Sequence, residues 1–174
     1  MKLIEEFEPY DNVSPPGVRL PEIKIDASYY TKLNISEGIS NFDFLRELCR
    51  LGIQEKGIDK FENKQEYFDR ARSELETLND LGFIDYVLLN WDILNYCHVN
   101  DIPTGPGRGS AAGSLVLFLI NVTKVDPVKY ELFFERFVSK SRAQKTEKDG
   151  VTYLAGSLLA DVDNDISYER RHEV

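Results

Sequence analysis

Residues 105–114 read Gly105-Pro106-Gly107-Arg108-Gly109-Ser110-Ala111-Ala112-Gly113-Ser114, and an apolar run, Leu115-Val116-Leu117-Phe118-Leu119-Ile120, follows at once. Such a stretch predicts a loop that opens into a buried helix. Glycines leave backbone N–H groups uncovered and let an anion approach closely. A helix N-terminus adds partial positive charge in the same place. Arg108 brings a forked cationic donor, and Ser110 and Ser114 bring hydroxyls. This chemistry suits phosphate, with a nucleoside triphosphate as the natural occupant. Two other readings stay open. The dinucleotide spacing Gly-x-Gly-x-x-Gly/Ala fits Gly107, Gly109 and Ala112, but that motif follows a strand and here a long helical pattern precedes it. A close helix crossing would also call for small residues. The P-loop spacing fails in every register, and the loop has no lysine.

The second informative stretch is Asp161-Val162-Asp163-Asn164-Asp165. Read as part of a strand over 158–166, alternate side chains share a face, and the three carboxylates project together. Held close without compensation they repel. A divalent cation removes that cost, and Mg²⁺ prefers carboxylates combined with substrate phosphates. Two such ions, held about 3.5–4 Å apart, would activate a hydroxyl and stabilise a leaving pyrophosphate. A calcium loop of the EF-hand type needs Gly at position six and Glu at position twelve. Counted from Asp161, those positions are Ile166 and His172, so that alternative fails. A solvated acidic turn remains the plain alternative.

Outward from these two stretches the chain reads mostly as helices. Leu45, Leu48, Cys49 and Ile53 share one face of a helix that starts near Asn41 and ends before Gly57. Tyr67, Phe68, Ala71, Leu75 and Leu78 form the stripe of a second helix, over Lys64 to Leu81, whose other face is charged. A third runs from Phe83 to about Asn100 and is apolar on more than one side, which predicts a place inside the domain. Asp126-Pro127 predicts another helix start, with Tyr130, Phe133, Phe134 and Phe137 facing inward. Asp149-Gly150 between alternating stretches predicts a two-residue hairpin turn, and Tyr168 onward starts a last helix. Ser14-Pro15-Pro16-Gly17 and Pro21 keep the beginning extended. The expected division is an extended segment over 1–40 and one domain over 41–174.

With 174 residues, 42% hydrophobic and 29% charged, the chain fits a single globular domain and excludes a disordered tail or a disulfide scaffold. No apolar run reaches the ~18–20 residues of a membrane span, and Met1-Lys2-Leu3-Ile4-Glu5-Glu6 is no signal peptide. No membrane partner is expected. Cys49 and Cys97 lack metal-ligand spacing and read as reduced core thiols, which points to the cytoplasm. The net charge of −9 argues against a nucleic-acid partner when taken alone. The charge is uneven, however. Residues 105–148 hold eight basic and four acidic side chains, a surplus of four on an otherwise acidic chain. Lys140, Arg142 and Lys145 lie in that island and are candidate contacts for a nucleic-acid backbone, with a solvated hairpin as the equal alternative.

Taken in order, the glycine-serine loop, Asp126-Pro127, Phe134-Glu135-Arg136-Phe137, the aspartate cluster and Glu169-Arg170-Arg171 resemble bacterial replicative DNA polymerases of family C, the polymerase III alpha subunits. The resemblance covers roughly residues 15–174 and includes the stretches Glu74–Gly82 and Tyr86–Leu89. It implies an α+β fold, the polymerase beta-like nucleotidyltransferase palm, with helices first and a small sheet carrying the aspartates. It implies template-directed transfer of nucleotidyl groups from deoxynucleoside triphosphates to the 3′-hydroxyl of primer–template DNA, with two Mg²⁺ ions, Mn²⁺ being able to substitute. By position, Asp163 and Asp165 would bind the metals with Asp161 in support. Gly107, Arg108, Gly109, Ser110 and Ser114 would hold the triphosphate. A small-molecule nucleotidyltransferase and a non-catalytic interaction fragment are the competing readings. Three departures from what the resemblance implies stand out: Ala160 replaces the proline usual before the cluster, the link from Phe137 to Asp161 is long, and Met1 stands almost where the palm region begins, whereas the family normally carries a phosphoesterase-like domain ahead of it. The family's third aspartate, fingers and duplex-binding modules would follow Val174. The expectation is therefore half of an active site, completed by the C-terminal remainder of a polymerase, and a chain inactive by itself.

Overall fold

A computed structural model describes residues 22–138, 145–148, 151–154 and 160–174. Among the described residues five α-helices carry the fold: α1 (Ala27–Leu33), α2 (Asn41–Glu55), α3 (Lys64–Leu81), α4 (Ile84–Val99) and α5 (Leu115–Leu119). Local chemistry sets their ends. Asp26 caps α1 by accepting from the Ser28 N–H, and Ser40 caps α2 by accepting from the Asp43 N–H. Helix α3 stops at Gly82, whose left-handed φ of 76° turns the chain directly into α4. Helix α1 lies within the segment expected to be extended.

The shortest helix sits deepest. Leu115, Val116, Leu117 and Leu119 of α5 are all 1% exposed or less. Helices α2 and α3 cover it, with Phe44, Leu45 and Leu48 from one and Tyr67, Ala71, Leu75 and Leu78 from the other. Helix α4 buries Ile84, Val87, Leu88, Trp91, Leu94 and Cys97 along one side, whereas Tyr96 and Val99 in its last turns are exposed, so it is less enclosed than its apolar sequence predicts. Trp91 meets Phe44 and Tyr29 edge-on, with ring centroids 5.5 and 4.9 Å apart, which ties α1 and α2 to α4. Cys49 and Cys97 are free and buried, and burial pushes both thiols up, away from the reactive thiolate. Among the described residues no helix is long and apolar enough to cross a membrane.

The expected α+β palm with aspartates on a sheet is not what the chain forms. The described structure is helical apart from one antiparallel hairpin, β1 (Lys145–Lys148) and β2 (Val151–Leu154), with Lys145 opposite Leu154 and Lys148 opposite Val151. Its turn, Asp149-Gly150, lies outside the described residues. Residues 160–165 form no strand; the stretch has one isolated bridge, between Ile166 and Thr104. The reason is a missing ladder. A strand needs hydrogen-bonded neighbours along its length, and here the backbone bonds lie at the end of the segment, Gly105 N–H to Asp165 C=O at 2.8 Å and Ser167 N–H to Pro103 C=O at 3.0 Å.

Two further helices are also corrected. After Asp126-Pro127 the chain makes turns: Asp126 accepts from the Val128 and Lys129 N–H groups as a helix cap does, but Glu131 takes a left-handed φ of 51°, which a continuing helix cannot contain. A 3₁₀ turn follows at Phe134–Arg136. Phe134 and Phe137 are buried as expected, whereas Tyr130 and Phe133 stand 61% and 69% exposed. The end, beyond Tyr168, is a turn and a single 3₁₀ turn at Arg171–Glu173.

Candidate functional site

The glycine loop runs from the end of α4 to the start of α5 and is held from below. The Lys124 N–H donates to the Pro106 carbonyl at 2.8 Å, and Lys124 Nζ donates to the Thr104 carbonyl and hydroxyl at 2.8 and 3.0 Å. Gly107 has a left-handed φ of 86°, and a Cβ there would lie 2.8 Å from Thr123 Cγ2. Gly109, at φ 68°, repeats the left-handed turn. Arg108 between them is extended, and its exposed side chain reaches back across the segment from Asp161 to Asp165.

There the two stretches meet. Arg108 Nη1 lies 3.4 Å from Asp163 Oδ2, and Arg108 Nε donates to Asp165 Oδ1 at 3.2 Å. The two carboxylates are 37% and 48% exposed, so the guanidinium bridges them in contact with solvent. Exposed ion pairs of this kind are worth about 0–1 kcal/mol, so a competing cation or anion separates them at little cost. Gly105 lies under Asp165: a Cβ there would come within 2.8 Å of the aspartate Cβ. Asp161 is exposed on the same segment. Ser110 is half-buried at the start of the 3₁₀ turn Gly109–Gly113. Among the described residues no three His, Cys, Asp or Glu side chains come close enough together to hold a metal ion.

Ser114 is not part of this surface. It is fully buried, and its hydroxyl donates to Glu74 Oε2 at 2.9 Å while accepting from the Leu117 N–H. Glu74 also accepts from the Val116 N–H at 3.1 Å, so the N-terminal amides of α5 face a buried carboxylate. Arg70 completes the arrangement. Its Nε donates to Glu74 Oε1 at 2.9 Å, and its Nη2 donates to the carbonyls of Gly113 and Leu132 at 2.6 and 2.8 Å. Burial raises the Glu74 carboxyl, opposed by the bonds from Val116 and Arg70. The helix end expected to face a phosphate is thus an internal joint that fixes where the glycine loop stops. The signal for it was in the sequence, since Glu74 falls in phase with Tyr67, Ala71 and Leu78 on the apolar stripe of α3. Breaking a buried pair leaves an uncompensated charge. Glu74→Ala is expected to destabilise the chain by about 3–5 kcal/mol in denaturant titrations, against about 1–3 kcal/mol for Ser114→Ala.

Of the other candidates, Lys140 and Arg142 lie outside the described residues, and Lys145 is placed only as the first residue of β1.

The family model for the bacterial DNA polymerase III alpha NTPase domain matches residues 43–174. A DNA polymerase III subunit alpha of Helicobacter pylori (strain J99) is 35% identical over 168 residues, covering 94% of this chain and 12% of the relative. That of Bacillus subtilis (strain 168) is 37% identical over 139 residues, 79% of this chain and 11% of the relative. That of Aquifex aeolicus (strain VF5) is 43% identical over 109 residues, 62% of this chain and 9% of the relative. The chain therefore spans about a tenth of the length of the curated relatives it matches.

Proposed function

Since the chain belongs to the family of bacterial DNA polymerase III alpha subunits, we propose that it carries the part of a replicative DNA polymerase where the incoming deoxynucleoside triphosphate meets the catalytic carboxylates. The observation that carries this reading is the convergence of Asp163 and Asp165 on Arg108 of the glycine loop. Phosphate-loop donors and hard oxygen ligands then share one open surface, as nucleotidyl transfer requires.

Two half-exposed carboxylates facing a common cationic group suit Mg²⁺, which completes its shell with water and substrate phosphate oxygens. Asp163 and Asp165 would hold it, with Asp161 beside them and Mn²⁺ able to replace it. When bound, two such ions supply Lewis-acid activation of the primer 3′-hydroxyl and charge stabilisation at the leaving pyrophosphate. The chain's own residues do the rest. Arg108, released from the carboxylates, offers a forked donor to the triphosphate. The backbone of Gly107 to Gly109 and the Ser110 hydroxyl line its approach, and Ser114 acts from beneath by anchoring the loop to Glu74. Lys140, Arg142 and Lys145 are assigned to the backbone of primer–template DNA. The remaining polymerase segments supply the further carboxylate, the surface that sets the triphosphate opposite a template base, and the duplex grip.

The test is primer extension with Mg²⁺ and four deoxynucleotides, using the 174-residue chain alone and the complete polymerase. The chain alone is expected to add nothing, and the complete enzyme to extend in a template-directed manner. Extension that survives Asp165→Ala would overturn the assignment. Addition without a template would favour a small-molecule nucleotidyltransferase. Template-directed products that track the chain alone would show that this segment suffices.

A further inference from the structure

Asn90 is a polar side chain in the wrong place for a core helix. It sits on α4 beside Trp91, 5% exposed, with Val87 and Leu94 on the same buried side. Buried amides persist where their hydrogen bonds are made, and those of Asn90 are. Its Nδ2 donates to the Tyr86 carbonyl at 2.9 Å, and its Oδ1 accepts from Asn164 Nδ2 at 2.7 Å. The polarity follows from the chemistry. A carbonyl can only accept, so Asn90 turns its amide nitrogen to Tyr86 and its oxygen to Asn164, which must answer with its own amide nitrogen. Beside this pair, the Val162 N–H donates to Tyr86 Oη at 3.3 Å.

Asn164 is the residue between Asp163 and Asp165. We propose that Asn90, with Tyr86, is a positioning device that aims these two carboxylates, by pinning the inward-facing residues of a segment that has no strand beside it among the described residues. Ala160 is buried and Val162 and Ile166 pack against the core, while Asp161 and Asp165 are exposed and Asp163 is half-exposed. In a sheet, the ladder imposes this alternation. Here the backbone bond from Gly105 secures only the Asp165 end, and α4 secures the middle through Asn90 and Tyr86. An apolar residue at position 164 would bury as well, but could not satisfy the Asn90 oxygen.

The inference rests on reading Asp163 and Asp165 as metal ligands, so its test uses two readouts on the 174-residue chain. The first is Mn²⁺ affinity, by titration with the metal alone. The second is hydrogen exchange over residues 160–166. Asn90→Leu and Asn164→Leu are each expected to weaken Mn²⁺ binding about tenfold, the lower end of what partners that orient ligands cost. The double variant should lose no more than either single, because both remove one shared contact. Asn164→Gln, which keeps the donor, should return to within about threefold of the parent. Exchange over 160–166 should quicken in both single variants and stay unchanged in α2 and α3. Singles that bind Mn²⁺ like the parent, or losses that multiply in the double, would overturn the proposal. A parent chain that binds no Mn²⁺ would count against the metal reading alone; unchanged exchange in the variants would then overturn the positioning role. Should Asn90→Leu fail to fold, Asn164→Leu decides, since Asn164 is only half-buried.

Discussion

Gly52→Ala is expected to leave the chain without a cooperative unfolding transition. Gly52 faces α5 from α2, where the two backbones cross. A Cβ at Gly52 would lie 2.0 Å from the Leu119 carbonyl oxygen, 2.7 Å from its carbon and 3.2 Å from Leu119 Cα. All three atoms are backbone, so no side-chain rotation relieves the overlap. Restoring ordinary contact means moving α2 from α5 by more than ~1 Å, through a core packed as tightly as a crystal. Leu45 of α2 and Leu115 and Leu117 of α5 belong to that core and are completely buried. Overpacking against yielding side chains costs about 1–3 kcal/mol, and a clash between two backbones costs more. Total stability of a domain this size is about 5–15 kcal/mol, so the substitution takes most of it. Gly82→Ala sets the scale for a glycine with room: nothing lies within 4 Å of the added Cβ, and only its left-handed φ is strained. It is expected to cost about 1 kcal/mol. Thermal and denaturant melts followed by circular dichroism compare the two. A Gly52→Ala chain that melts like the parent would mean that α5 does not press against α2 at this point.

The long helices were legible because their signals are local. The stripe of α3 and the glycine that ends it mark Lys64–Leu81 in the sequence, whereas the apolar residues scattered around α4 overstate its depth, because only one side of it is buried. The elements that were misread depend on what lies across space. The alternation from Ala160 to Ile166 is the same whether a ladder or a helix holds it, so period two suggested a sheet where Asn90 and Tyr86 supply the partners. Asp126-Pro127 has good helix-start chemistry, yet the same Asp126 carboxylate caps a turn and accepts from Tyr67 Oη at 2.8 Å. At the candidate site the sequence reading already sets Asp163 and Asp165 facing the Gly107–Ser110 loop as parts of one site. That Arg108 joins them, and that Ser114 turns away to Glu74, required the fold.

In the complete polymerase, Asp163→Asn is expected to slow nucleotide addition by at least a thousandfold while leaving the stability of the chain within about 0.5 kcal/mol of the parent. The two halves of this expectation have different origins. On the proposed reading, Asp163 helps hold cations that stabilise charge developing at the attacking and leaving oxygens. Such preorganised electrostatic interactions are worth several kcal/mol in the transition state, and a thousandfold corresponds to about 4 kcal/mol. An asparagine keeps the shape and one oxygen but loses the negative charge that makes the ligand. Stability responds differently because the folded chain uses that charge little. Asp163 is more than one-third exposed, and its ion pair with Arg108 at 3.4 Å, the one it makes among the described residues, is solvent-bathed. Such a pair contributes about 0–1 kcal/mol, and removing it also relieves repulsion from Asp161 and Asp165. Arg108 keeps its bond to Asp165 in the variant, so the loop remains tethered. Single-turnover incorporation with Mg²⁺ measures the first half and melting of the isolated chain the second. Addition within about tenfold of the parent would remove Asp163 from the metal site, since a ligand in the transition state cannot be lost so cheaply. A collapse in stability would show that the Arg108 bridge holds the fold together rather than waiting to be exchanged.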